Sequence, residues 1–321
     1  MDRLPLRNEA FEGRNNAYLL TDDDKPTTLV DTGVASSTSR AALEDQLAEH
    51  DVTVEDIDEI LVTHWHEDHA GLVGEIQAES GATVRAHEDD ASLVATDPDA
   101  LERLFARYEE RLDQWAVPDE PREALLSHLT KFDGGGARAT VEPFTDGDTV
   151  SEYELEAVHL PGHTVGLCGF VADGDVLFSG DALLPRYTPN VGGADVRMET
   201  PLAAYLGALQ RIIDRDFSVA YPGHRDRIED PTDRAHVIAD HHRDRTENVL
   251  EVLEEEGAAT AWTVSDRLFG DLESIHILHG PGEAWAHLDH LERHGVVTRD
   301  DRRYERVVED VDVDALFDVA D

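Results

Sequence analysis

The clearest chemistry in the sequence lies between Ile60 and Gly71, where three histidines and an aspartate fall within six positions. An apolar run is followed there by His64, His66, Asp68 and His69. Loops that follow buried strands are where folds commonly place functional side chains. Neutral imidazole and carboxylate groups are the ligands that Zn²⁺ takes at about 2.0 to 2.2 Å. The spacing therefore predicts a metal site at the end of a buried strand.

Three further residues of ligand type follow β-like runs later in the chain. They are His163 after Glu154 to His159, Asp181 after Val176 to Ser179, and His224 after Ser218 to Tyr221. Because each follows a strand, all three can converge with the first four at one edge of a sheet. The candidate metal ligands are therefore His64, His66, Asp68, His69, His163, Asp181 and His224.

The elements that must position these residues alternate between strands and helices. Helical spacing of apolar residues predicts helices over Ser39 to His50, Leu72 to Ser80 and Leu202 to Asp214. Strand signals cover Ala17 to Leu20, Thr27 to Asp31, Ile60 to Thr63, Thr83 to Ala86, Ala139 to Phe144, Tyr153 to His159, Gly166 to Val171 and Val176 to Ser179. The pattern predicts an α/β catalytic domain over residues 1–230.

A helical insertion interrupts this alternation at residues 90–130. Apolar residues such as Leu104 and Tyr108 recur there at helical spacing, and Pro118 and Pro121 break the segment into two or three helices. We expect the insertion to shield the pocket from water as a lid that shapes specificity.

Residues 235–321 differ from the preceding segment in their pattern of predicted helices and strands. Three helical patterns and a hairpin follow one another at His236 to Glu256, Thr263 to Leu268, Glu283 to His294 and Val296 to Val308, which is typical of a small winged-helix-like domain. The segment carries eight arginines, no lysine and 22 carboxylates, a net charge of −14. That charge disfavours a phosphate-binding face and favours packing or a homodimer contact. We interpret its histidines, among them His242, His287 and His290, as surface residues.

The amino-acid composition limits the binding partners and the cellular locations that the protein can have. The 321 residues carry 71 acidic and 27 basic side chains, a net charge of −44, spread along the chain as in proteins of halophiles. Such a surface makes binding to nucleic acid unfavourable. No run approaches the roughly 18 to 20 apolar residues of a membrane span, and the first 20 residues lack a secretory signal, so we expect a cytoplasmic protein. Cys168, alone of its type, is predicted to be a buried hydrophobe.

Together with Val30-Asp31-Thr32-Gly33 upstream, the four ligand segments make five motifs that resemble the metallo-β-lactamase superfamily over roughly residues 15–230. They are most similar to its hydroxyacylglutathione-hydrolase-like (glyoxalase II-like) branch. The resemblance implies a four-layer αββα sandwich. It also implies two Zn²⁺ ions, with iron or manganese as alternatives. His64, His66 and His163 would hold one ion, and Asp68, His69 and His224 the other.

The resemblance also implies roles for residues around the ions. Asp181 would bridge them, and a hydroxide bound between them would be the nucleophile, with Asp68 handling the proton. Asp31 would support the metal loops by hydrogen bonding. Arg186, Tyr187 and Arg197, which follow Asp181, are weaker candidates for contact with the substrate.

Departures from other branches narrow the function. His66 stands where redox di-iron members carry glutamate, and 42 residues between Asp181 and His224 leave no room for the large cap of the nucleases. Asp181 itself is typically missing in true β-lactamases. Neither lysine lies beyond Lys131, which disfavours glutathione as a ligand. The sequence therefore predicts a hydrolase of a small ester, thioester or lactone, with a metal-dependent endoribonuclease or phosphodiesterase as the alternative.

Overall fold

Two β-sheets form the centre of the computed structural model, which describes residues 1–6, 14–129 and 136–317. The first sheet has six strands in chain order, antiparallel from β1 to β3 and parallel from β3 to β6. They are β1 (Asp2–Pro5), β2 (Asn16–Asp22), β3 (Lys25–Val30), β4 (Glu59–Val62), β5 (Thr83–His87) and β6 (Val141–Phe144).

The second sheet has five strands in the order β11-β10-β9-β8-β7. They are β7 (Thr149–Val150), β8 (Leu155–His159), β9 (Cys168–Ala172), β10 (Val176–Gly180) and β11 (Val219–Pro222). Neighbours are antiparallel except β10 and β11, which are parallel. The antiparallel strands follow the Asp-Gly turns at Gly147 and Gly174, both of which have positive φ.

The two sheets pack face to face through aromatic and aliphatic side chains. Tyr18 and Leu61 of the first sheet meet Phe170 and Phe178 of the second in one buried cluster. Helices α1 (Ser37–Ala48), α2 (Glu67–Ala70) and α3 (Val73–Ser80) lie in the first half of the chain. The α1 and α3 helices cover the outer face of the first sheet. This arrangement confirms the predicted α/β fold.

The insertion is helical, as predicted. It forms α4 (Glu88–Val94), α5 (Pro98–Gln114) and α6 (Asp119–Leu129). The cap of α5 is Asp97, whose side chain accepts from the Ala100 N–H, and Pro98 occupies the first turn.

The remaining helices follow the second sheet. The α7 helix (Pro201–Arg215) covers that sheet together with the start of α8 (Pro231–Glu256). Then come α9 (Ala261–Phe269), α10 (His276–Arg293) and an antiparallel pair, β12 (Val297–Asp300) and β13 (Arg303–Arg306). The predicted order of three helices and a hairpin is confirmed, while the winged-helix classification stays a prediction. No helix of the described residues is long and apolar enough to cross a membrane.

The insertion and the C-terminal helices share one hydrophobic core. Trp115 after α5 is fully buried, with its ring centroid 6.0 Å from that of Trp285 in α10. Arg111 is also buried; its guanidinium lies 4.1 Å above the Trp285 ring and donates to the carbonyls of Val196 and Met198. Two segments separated by more than 100 residues of sequence thus fold as one helical unit beside the sandwich.

Two sequence expectations about this unit are wrong. The last helix begins at His276, seven residues before the predicted start, because Gly280, Pro281 and Gly282 are helical despite their low propensity. His242, His287 and His290 are buried and not on the surface.

Hydrogen bonds offset the burial of His287 at both ring nitrogens and that of His242 at one. His287 Nδ1 lies 2.8 Å from the Thr246 hydroxyl, and its Nε2 lies 3.3 Å from His242 Nδ1. Among the described residues, His242 Nε2 has no hydrogen-bond partner. A buried ring such as His287, with both nitrogens hydrogen-bonded, is compatible with a protein core.

Candidate metal centre

The seven predicted ligands all lie just beyond the ends of strands. His64, His66, Asp68 and His69 follow β4, with α2 presenting the last two. The other three follow β8, β10 and β11, respectively: His163, Asp181 and His224. All seven are buried or nearly so. The structure therefore brings the whole predicted set to one edge of the sandwich.

The ligand atoms fall into two groups joined by Asp181. We call His64, His66 and His163 the three-histidine group, and Asp68, His69 and His224 the mixed group; within each, the ligand atoms lie within 4.8 Å of one another. Asp181 Oδ1 lies 3.5 Å from His69 Nε2, and Asp181 Oδ2 lies 3.3 Å from His224 Nε2 and 3.8 Å from His163 Nε2. One carboxylate thus reaches both groups.

The three-histidine group fits a cation by its hydrogen bonding. His66 Nε2 lies 3.0 Å from the Ala194 carbonyl, and His163 Nδ1 lies 3.0 Å from the Asn190 carbonyl. Carbonyls only accept, so both rings donate outward, and the lone pairs of His66 Nδ1 and His163 Nε2 face each other at 3.0 Å. Facing lone pairs repel unless a proton or a metal ion lies between them.

Unpartnered atoms support the same fit. Among the described residues, His64 Nε2, His69 Nε2 and Asp181 Oδ1 are buried without a hydrogen-bond partner. Leaving such atoms unpaired costs about 1 to 3 kcal/mol each, a cost that coordination removes. The nitrogen and oxygen donor set suits Zn²⁺, iron or manganese.

Asp31 supports the first strand loop from beneath. It accepts from the Thr63 backbone N–H at 2.8 Å, the Thr63 hydroxyl at 2.8 Å and His69 Nδ1 at 2.9 Å. Since the Thr63 hydroxyl donates to Asp31, it accepts from His64 Nδ1 at 3.1 Å. These bonds fix the tautomer of both histidines and turn each Nε2 toward the site. Asp31 adopts a left-handed φ of 59°, which aspartate tolerates.

A second support comes from the loop formed by residues 190–195, which carries the Asn190 and Ala194 carbonyls. Asn190 Nδ2 donates to Glu283 Oε2 at 2.8 Å and to the His279 carbonyl at 3.2 Å, both on α10. The backbone of the loop touches α10 so closely that a Cβ on Gly282 would lie 2.3 Å from Gly193 Cα. The glycines of α10 therefore permit a contact that holds two candidate metal ligands, His66 and His163.

Two further contacts escaped the sequence analysis. Asn15 Nδ2 donates to the Asp68 carbonyl at 2.8 Å and to Asp68 Oδ2 at 3.0 Å. A Cβ on Gly223 would lie 2.4 Å from Asp181 Oδ1 and 2.5 Å from His69 Cε1, so only glycine fits beside these two residues.

Arg197 is placed in a buried ion cluster and does not line the cavity at the metal centre. Its guanidinium bonds Asp195 and Asp90. Asp90 in turn accepts from the Trp65 backbone N–H, and Asp195 from that of Val165. Arg197 thus ties together the two loops that carry His64, His66 and His163, a structural role that the sequence did not predict.

The two ligand groups differ in charge. Burial and neighbouring imidazoles lower the pKa of His64, and they lower the pKa of His163 to about 4. Burial also lowers the pKa of His224, but the Asp181 and Asp68 carboxylates outweigh it and raise that pKa to about 10. Burial raises the pKa of Asp181, yet His224 and His69 hold it well below its usual range. The three-histidine group therefore offers neutral imidazoles at pH 7, whereas the mixed group carries charge.

A cavity of about 660 Å³ opens onto the metal centre. Tyr187 lines it, and the Arg225 guanidinium lies 4.7 Å from the Tyr187 ring centroid. Arg186 is exposed and is not part of the lining. His276 and His279 of α10 also line it, which the sequence analysis missed because these residues lie more than 50 positions beyond the last ligand.

Known proteins share this fold and sequence pattern. The family model of the Metallo-beta-lactamase superfamily matches residues 10–224, so the chain belongs to that superfamily, and it is a metal-dependent hydrolase. A crystal structure of a metallo-beta-lactamase family protein from Thermus thermophilus has a TM-score of 0.82 and 31% identity. The match covers 95% of this chain and 98% of that one, so it includes the C-terminal segment.

Two curated relatives are similar at lower identity. The probable metallo-hydrolase YqjP of Bacillus subtilis is 26% identical over 289 residues, 88% of each chain. The thioesterase pkgB of Emericella nidulans is 28% identical over 201 residues, which span 62% of this chain and 43% of pkgB.

Proposed function

We propose that the protein hydrolyses a small ester, thioester or lactone at a dinuclear zinc centre formed by the seven ligands. The observation that carries this proposal is the pair of ligand groups joined by Asp181 at the floor of a cavity. Two bound Zn²⁺ ions would lower the pKa of water and polarise the carbonyl group under attack. The similarity to a thioesterase supports acyl chemistry.

We assign to Asp68 the transfer of the proton from the attacking water to the leaving group. Burial raises its pKa, but His69 and His224 outweigh burial and hold that pKa below its usual range, so the carboxylate is ionised at neutral pH. Asn15 fixes the carboxylate at the cavity wall. Asp68 would take the proton of the attacking water and deliver it to the leaving group.

The charge of the cavity disfavours RNA or another phosphodiester. Among the described residues that line it, Arg225 is the one arginine or lysine, and Glu67, Asp68 and Asp181 are acidic. Binding a polyanion requires several cationic contacts. We therefore keep the phosphodiesterase as the alternative that the experiment must exclude.

The test is a substrate panel at high salt: an acyl thioester, a homoserine-type lactone, a phosphodiester and single-stranded RNA. We expect turnover of the thioester or lactone, and a loss of roughly 100-fold or more in Asp181→Ala. Asp175→Ala, which removes an exposed carboxylate from a turn, is the matched control and should keep full activity. Cleavage of RNA that Asp181→Ala abolishes, with acyl substrates untouched, would overturn the proposal.

A further inference from the structure

The cavity has an apolar side that the hydrolytic chemistry does not use. Leu101, Leu104, Phe105 and Tyr108 of α5 line it at the spacing i, i+3, i+4 and i+7, which places them in one stripe along the helix. The α10 side adds Ile275 and Leu278, and Trp65 lies next to the ligands. We call this apolar side the chamber.

The stripe divides between the protein core and the cavity. Leu104 and Tyr108 are buried, whereas Leu101 and Phe105 are only partly buried. Keeping apolar side chains accessible to water costs free energy in proportion to their area. On a chain of net charge −44, a partly open apolar wall is a site where an apolar ligand gains from burial.

We propose that the chamber binds a linear, uncharged acyl chain of about eight carbons, so that the enzyme prefers medium-chain acyl esters or thioesters. The proposal rests on the hydrolytic function proposed above and names its substrate class. The carbonyl group would lie at the metal ligands and the alkyl chain along α5. Arg225 and the exposed Tyr187 would then face the leaving group at the mouth.

The length of the apolar stripe on α5 predicts the length of the acyl chain that the chamber would bind. Leu101 and Tyr108 are seven residues apart on α5, which corresponds to about 10 Å along the helix axis. An extended alkyl chain advances roughly 1.3 Å per carbon, given bonds of about 1.5 Å, so about eight carbons span the stripe. A negatively charged acyl group is disfavoured, because Leu101, Leu104, Phe105 and Tyr108 offer it no cationic partner.

The experiment measures kcat/KM for a series of acyl thioesters from acetyl to dodecanoyl. Full burial of one methylene is worth a factor of about four, so even partial burial of the six methylenes that separate octanoyl from acetyl should raise kcat/KM by at least tenfold, after which it should level off. Leu101→Trp fills the chamber and should shift the optimum to shorter chains. Ala106→Trp, the same substitution on the exposed face of α5, is the matched control and should leave the profile unchanged.

A binding measurement separates this inference from the proposed function. By calorimetry on the metal-loaded protein, octanoate should bind at least tenfold more tightly than acetate, with the difference lost in Leu101→Trp and kept in Ala106→Trp. That result supports the chamber even if no thioester is hydrolysed, in which case only the proposed function fails. Thioester hydrolysis with a flat profile, a preference for acetyl or for a bulky benzoyl group, or a profile that Leu101→Trp does not move, overturns the inference.

Discussion

Two supports of the candidate metal centre each hold two histidines, and they are built differently. Asp31 holds His64, through Thr63, and His69. It lies at the end of a strand that pairs directly with the strand preceding the ligands. The loop formed by residues 190–195 holds His66 and His163 through backbone carbonyls and is itself held by α10.

The difference shows how the C-terminal segment takes part in the site. Asp31 belongs to the sandwich alone, whereas the 190–195 loop depends on a helix that begins more than 50 residues after the last ligand. The supports also divide the ligands unequally. Asp31 serves one histidine of each ligand group, while the loop serves two members of the three-histidine group. Disturbing the two supports should therefore have different effects on metal binding.

The largest effect is expected from Asp31→Ala. This change removes an acceptor from Thr63 and His69 together, and so loosens one ligand in each group. Loss of such a partner typically costs 10- to 100-fold in metal affinity or activity, so we expect both ions to be depleted. Metal content after dialysis and thioester turnover are the measurements. Asp31→Asn, which keeps an acceptor oxygen, should lose less metal and less activity. Equal metal retention in wild type and Asp31→Ala would show that Asp31 does not support the metal ligands.

A smaller and more selective effect is expected from Gly282→Ala. The added Cβ would lie 2.3 Å from Gly193 Cα, so the loop must shift away from α10. Overpacking of this kind typically costs about 1 to 3 kcal/mol, which should appear as a lower melting temperature. Since the loop holds only members of the three-histidine group, one metal ion should be weakened and the other kept.

Gly207→Ala is the matched control for that prediction. It places the same methyl group in α7, where a Cβ meets no atom of the described residues within 4 Å. This control should be neutral or stabilising by about 0.4 to 1 kcal/mol. If Gly282→Ala lost both ions equally, or neither, the proposed division between the two supports would be wrong.

One of the two supports could be predicted from the sequence and the other could not, and the difference has a physical reason. Asp31 has a carboxylate side chain at the end of a strand, so its role as a hydrogen-bond acceptor was predictable once the ligand motifs had been identified. The acceptors of the second support are main-chain carbonyls at Asn190 and Ala194, and every residue carries such a group. Only the folded backbone shows which carbonyls face a ligand.

The same distinction between local signals and long-range contacts decides how much of the fold was predictable. Nine of the eleven sandwich strands follow from local periodicity and turn residues, and the structure confirms them, whereas β1 and β7 were not predicted. The shared core of Trp115 and Trp285 depends on contacts between distant segments, which periodicity does not encode. The burial of His242 and His287 was missed for the same reason, because the two rings meet across the helices α8 and α10, and such a contact is not visible in the local pattern of either helix.

The dinuclear centre is tested most directly by a zinc titration of the metal-free protein, with thioester turnover followed at each addition. We expect that the metal-free protein is inactive, that two ions bind per chain, and that turnover returns as they bind. We also expect that Asp181→Ala, which removes the carboxylate between the two groups, binds less zinc and stays inactive. Turnover by the metal-free protein, or full activity of Asp181→Ala with unchanged zinc binding, would show that the seven residues do not form a catalytic dinuclear centre.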